Sequence, residues 1–161
     1  MEQHGLRLNT VKTEYMELGA QTPGTIRVGN TMIKKTTTFK YLGSRIAADG
    51  SLHEEILGRI NAAWSKWRSL TGVLCDRRIP RKLKSQIYRT IIRATTLYGS
   101  ECWPSTRNDE RRLGVMETRM LRWKTGVTML DHVSNDIIRS TMKAAPIIKK
   151  LQEKRLRWYG M

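Results

Sequence analysis

The sequence predicts an α+β fold, mainly α, with a small β-rich unit over residues 1–50 followed by a basic helical bundle over residues 51–161. Three observations predict it. Residues 79–103 read as one long amphipathic helix, flanked by other stretches of helical period. Strand-forming residues and tight-turn pairs crowd only the first fifty positions. Charge divides at the same place, with seven Lys/Arg against four Asp/Glu in residues 1–50 and 23 against ten in residues 51–161.

Within residues 1–50, Leu6, Leu8 and Val11 alternate with polar residues. This predicts a helix end passing through Asn9 into a short strand at 13–18. Pro23-Gly24 marks a turn. TIRVGNTMI predicts a hairpin whose two-residue turn, Gly29-Asn30, needs positive φ. Residues 39–46 predict a further strand that ends before Asp49-Gly50. Three or four short strands are fewer than usually stand alone, so this unit is expected to need a partner surface.

Ser51-Leu52-His53-Glu54 has the S-x-x-E form of a capping box and predicts a helix start. The apolar face of that helix runs Leu52, Ile56, Ile60, Ala63, Trp64, Trp67, Leu70 and Leu74, which places both tryptophans in the core. In the central helix, Pro80 occupies the first turn and Gly99 the left-handed terminator position. Leu83, Ile87, Ile91, Ala94 and Tyr98 form its expected buried face. Lys82, Gln86, Arg89 and Arg93 form another face, free of acids and suited to phosphates. A solvated surface face would carry the same residues.

Asn108, with Asp109 and Glu110, predicts the capped acidic first turn of the next helix. Leu113, Met116, Met120, Trp123 and Val127 make its apolar side, Arg112, Arg119 and Arg122 the opposite side, and Gly126 its end. Ser134 caps a shorter helix over 134–142. Pro146 opens a last one carrying Ile147, Leu151 and Trp158 among Lys149, Lys150, Lys154, Arg155 and Arg157.

A chain of 161 residues is long enough for one domain with a real core, or a small domain with an appendage. A net charge of +16 and a pI near 10.5 point to a polyanion, nucleic acid before a membrane surface. Cys75 and Cys102 share no short spacing with each other or with His4, His53 and His132, which disfavours a zinc site. They read as reduced, partly buried thiols. No apolar run approaches the ~18 residues of a membrane span, and Glu2 argues against a leader peptide. The expected location is intracellular, nuclear or cytoplasmic. Catalytic constellations are missing: acids are scattered, glycines match no phosphate-binding loop, and no histidine neighbours a nucleophile. The residues therefore describe a binding module with no metal site and no cofactor of its own.

Several strings, in order, resemble a known family. FKYLGSRI, WSKWRSLTGVLCDRRIPRKLK, YRTIIRATTLYGSECW and the closing RLRWYG resemble the region downstream of the catalytic centre in reverse transcriptases of non-LTR (LINE) retrotransposons. The RTE-like endonuclease–reverse transcriptases are the nearest group. The resemblance implies an RNA-directed DNA polymerase origin, with residues 1–50 as a palm remnant and residues 51–161 as a thumb-like and following helical region.

It further implies that Gly5-Leu6-Arg7-Leu8-Asn9 with Lys12-Thr13 matches the motif after the catalytic aspartates. Lys12 would then be a proton donor to the leaving pyrophosphate; an ordinary surface lysine is the other reading of this residue. Phe39, Lys40, Tyr41, Leu42 and Gly43 match the primer grip, a hairpin holding the primer terminus. Template–primer duplex, RNA or DNA, becomes the expected partner, along with the missing palm and fingers if a longer product supplies them. The family's paired aspartates, which bind two magnesium ions, would lie before the Gly5 motif, so the chain is expected to be a catalytically incomplete fragment. Lys82, Arg89, Arg93, Arg112, Arg119 and Arg122 are the expected phosphate contacts. A host-used basic helical nucleic-acid-binding protein is the alternative.

Overall fold

The computed structural model describes residues 5, 7–41 and 43–160; Leu6 of the Gly5 motif, Leu42 of the expected primer grip and His4 lie outside them. About half of the described residues are helical and the strands are short, a mainly α fold with some β. The chain divides into two compact units, residues 1–55 and 56–161.

The first unit contains three two-stranded pairs. β1 (Glu14–Tyr15) runs parallel to β4 (Lys34–Lys35), and β2 (Arg27–Val28) runs antiparallel to β3 (Thr31–Met32). β5 (Thr38–Tyr41) runs antiparallel to β6 (Ser44–Ala47), with Phe39 opposite Ile46. The hairpin at Gly29-Asn30 forms where the sequence places it, with positive φ at Gly29 only (58°). One expectation is corrected: residues 39–46 are not a single strand. Gly43, at φ 85°, turns the chain back on itself, a backbone state that costs glycine little and other residues much. The strand expected over 13–18 shrinks to the two residues of β1.

Glu17 pins this unit. Its carboxylate accepts from Lys35 Nζ at 2.8 Å, from the Thr22 backbone N–H at 2.8 Å and from the Thr22 hydroxyl at 2.7 Å. The Lys35 bond first, then the two from Thr22, pull its pKa down to about 2. A depressed carboxylate stabilises fully above its unfolded value, and the contribution disappears as pH falls through the folded one. The Thr22 amide resonance of the folded chain is therefore expected to titrate with a midpoint near pH 2, well below the 4.5 of a free glutamate, while the stabilisation from Glu17 is lost between those two values. Glu17→Gln should leave that resonance flat over the same range.

α1 (His53–Ser69) begins at the expected capping sequence, but Glu54 Oε2 faces Arg45 Nη1 at 3.5 Å and Glu55 Oε2 accepts the Arg45 backbone N–H at 2.6 Å. In the second unit α2 (Thr71–Cys75) follows directly. The central stretch is α3 (Arg81–Ile87), a π-helical turn (Tyr88–Ile92) and α4 (Arg93–Thr96), ended by Gly99 at φ 72° and a 3₁₀ turn at Ser100–Cys102. α5 (Arg107–Thr125) is capped by Thr106, not Asn108: the Thr106 hydroxyl accepts from the Asp109 N–H while Asp109 reaches back to the Thr106 N–H. Asp109 is thus the third helical residue, where a capping box wants its acid. Gly126 closes α5 at φ 68°. α6 (Asn135–Thr141) starts on Ser134 and α7 (Ile147–Trp158) on Pro146. α5 packs on α2, α6 and α7.

The core of this unit is built from Trp67, Leu74, Tyr88, Ile92, Leu97, Leu113, Met120, Leu121, Ile138, Ile147 and Leu151. Ile56, Ala63, Trp67 and Leu74, then Leu113, Met116 and Met120 of α5, and Ile147 and Leu151 of α7 are buried as expected, whereas the buried face of the central stretch lies one residue away from the expected one. Along the central stretch Lys84, Ser85, Tyr88, Ile92, Arg93 and Thr96 are buried, while Leu83 and Tyr98 are exposed. On α5, Glu117, Leu121 and Arg122 are buried and Trp123 is half exposed. Trp64 is only half-buried, and Cys102 is exposed.

The reason is a carboxylate inside the bundle. Glu117 is fully buried; its Oε1 accepts the Tyr88 hydroxyl at 2.5 Å and Arg93 Nη2 at 3.4 Å. Its Oε2 accepts the Ile147 backbone N–H at 3.0 Å and lies 3.5 Å from Arg139 Nε. Glu117 therefore caps α7, whose first turn has no side-chain cap of its own. Burial, reinforced by the Glu117 charge, holds the Tyr88 hydroxyl far above the usual range, so it remains a donor. Helical periodicity treats these groups as surface residues, whereas their hydrogen bonds make them interior ones.

Candidate nucleic-acid interface

The six expected phosphate contacts separate into interior and surface residues. Arg93 is interior: besides Glu117, its Nη2 donates to the Ala145 carbonyl at 2.5 Å. Arg122 is interior as well, donating to the carbonyls of Thr128 and Val133 at 2.7 Å each and to Asn135 Oδ1 at 3.0 Å. It ties the end of α5 to the start of α6. A guanidinium so occupied cannot turn outward to a phosphate without leaving these acceptors unsatisfied. Both residues leave the expected set.

Lys82 and Arg89 are exposed and share one cleft between α3 and the end of α6. It has a volume of about 380 Å³, and Arg81, Ser85, Ser140, Thr141, Met142 and Lys143 complete its lining. Ser85 crosses its floor, donating to the Met142 carbonyl at 2.6 Å. Four cations thus converge with no acid in the lining, and among the described residues none of the four has a carboxylate within ion-pair distance. Lys143 adopts the left-handed backbone, φ 47°, which lysine rarely visits. Lys124, at the end of α5, is pushed below its usual pKa by burial and then by the charges of Lys84 and Arg81.

Arg112 and Arg119 lie on α5, lining a second groove against α1 together with Arg111, Leu57, Ile60 and Trp64. The sequence reading missed Arg81, Lys143 and Arg111. Arg81 stands beside Lys82, and Arg111 precedes Arg119 by two helical turns, so spacing could have found both. Nothing local marks Lys143.

Lys12 is exposed in a turn where its backbone N–H donates to Asn9. Phe39, Lys40 and Tyr41 are exposed along β5. These residues belong to the first unit. Among the described residues no group of three or more His, Cys, Asp or Glu is placed to hold a metal ion. Two of the acids have structural places, Asp109 in a helix cap and Glu117 in the core. No described helix is long and apolar enough to cross a membrane.

Over 97% of its length the chain is similar to an uncharacterized transposon-derived protein of Caenorhabditis elegans, at 23% identity. It spans about 58% of that protein's length. No family model matches the chain. No solved structure matches it.

Proposed function

We propose that this chain is a nucleic-acid-gripping part of a transposon-derived RNA-directed DNA polymerase of the non-LTR type. On this reading it holds template–primer duplex through the phosphate backbone, with no sequence preference. The observation that carries the reading is the acid-free cleft of Arg81, Lys82, Arg89 and Lys143. A cation row that lacks acids suits a polyphosphate chain, and such contacts position a duplex without reading its bases. The similarity to a transposon-derived protein, and the resemblance of FKYLG and RLRWYG to reverse transcriptase segments, supply the context.

The roles of the first unit follow from the same reading. Phe39, Lys40, Tyr41 and Gly43 hold the primer end, and Lys12 donates a proton to pyrophosphate once catalytic aspartates from another part of the polymerase are beside it. A cation with a transferable proton offsets the charge that grows on the leaving group. The site of action is nuclear or cytoplasmic.

The test is fluorescence anisotropy of a labelled primer–template duplex titrated with the whole chain at several salt concentrations. If the four cleft cations neutralise phosphates, log K should fall with log salt at a slope of roughly −3 to −4, about 0.9 per phosphate on B-form duplex. A slope near zero would overturn the reading. Strong preference for one duplex sequence would also overturn it, in favour of a host-used sequence reader.

A further inference from the structure

Four residues of α5 recur at four-residue spacing, Arg111, Val115, Arg119 and Trp123, and so lie along one side of the helix. At 1.5 Å per residue the row is about 18 Å long. Val115 is 43% and Trp123 50% exposed, an uncommon state for a tryptophan in a folded bundle. Trp123 also meets Trp64, ring centroids 6.0 Å apart and planes inclined by 36°, a contact that holds the ring while half of the residue stays exposed. All four row residues line a cavity of about 650 Å³, beside Met129. Its lining contains no acid, and among the described residues neither Arg111 nor Arg119 has a carboxylate partner.

We infer that this cavity seats unpaired nucleotides of a single strand, with a base stacked on Trp123 and the backbone on Arg111 and Arg119. The inference rests on the nucleic-acid reading above and adds a second substrate class to it. Charge complementarity excludes an apolar or basic occupant. The open indole separates nucleic acid from an acidic peptide, because an arginine row alone would serve the peptide and every base offers a flat face to a tryptophan. A duplex satisfies the arginines but not the indole, since its base faces are already stacked and exposing one costs a few kcal/mol. The molecule therefore carries two seats: the α3 cleft for paired backbone and the α5 row for a strand with bases free.

The experiment compares the whole chain with its Trp123→Ala and Trp123→Phe variants. Each is titrated against a labelled oligothymidylate of about 15 nucleotides and against a blunt hairpin duplex, with unlabelled polyglutamate as competitor. Trp123→Ala should weaken single-strand binding by roughly tenfold or more, the range for one stacked base, and change duplex binding less than twofold. Trp123→Phe should retain most of the single-strand affinity. Melting temperatures for both variants control for disturbed packing against Trp64. Equal weakening on both probes, no weakening on either, or displacement of the oligothymidylate by polyglutamate at matched charge would overturn the inference. Duplex binding that persists in those cases leaves the broader reading standing, whereas salt-insensitive duplex binding by the unmodified chain removes it.

Discussion

Glu117→Ala lowers the melting temperature by roughly 6–20 °C, the largest stability change expected of any single substitution in the second unit. Removing the carboxylate leaves the Arg93 charge buried without its counter-ion and the Tyr88 hydroxyl without its acceptor, and uncaps the Ile147 amide. Breaking a buried pair by deleting one partner costs about 3–5 kcal/mol, because the remaining charge stays desolvated. Glu117→Gln falls between, keeping one acceptor but presenting an N–H₂ group to surrounding donors. Arg93→Ala is similarly destabilising, and the double variant is less destabilised than the sum, since the two residues share one network. Thermal denaturation followed by circular dichroism measures all of these. A melting temperature unchanged in Glu117→Ala would mean that α4, α5 and α7 are held together by apolar packing alone.

Neutralising the α3 cleft has the opposite profile. With Arg81, Lys82 and Arg89 changed to Gln and Lys143 to Gly, duplex affinity is expected to drop by roughly a hundredfold or more near 0.1 M salt. The salt slope should flatten by about 0.9 for each phosphate that is no longer neutralised. The fold should not suffer, because none of the four has a carboxylate partner among the described residues. Lys143→Gly also removes a side chain from a backbone held at φ 47°, which favours stability. Arg93→Gln, by contrast, costs stability and leaves the salt slope alone. Unchanged duplex affinity in the fourfold variant would dismiss the cleft as the seat of the backbone.

The contrast between these arginines measures how far local pattern reaches. Arg89 and Arg93 stand one turn apart on one helical stretch, and in sequence nothing separates them. One is exposed, and the other is paired with an acid 24 residues away and a carbonyl 52 residues away. Arg119 and Arg122 part in the same way on α5. Trp123, read as core from its spacing, emerges half exposed because Leu121 and Arg122 fill the interior in its place. Lys82, Arg89 and Arg119, named from their spacing, are exposed as a contact residue must be, while Lys143, set by a left-handed turn after α6, carries no local mark in the sequence.

By itself the sequence determined where α6 and α7 start, where the central stretch and α5 are terminated and where the first hairpin turns. Ser134, Pro146, Gly29, Gly99 and Gly126 act on their own backbone neighbours, within a turn's reach, and need no distant partner. Only the tertiary structure decided which face of each helix turns inward and which cations are left for a ligand. A charged group can be buried only when its desolvation is offset by hydrogen bonds, and the acceptors that offset it for Arg93 and Arg122 are brought there by other segments of the chain.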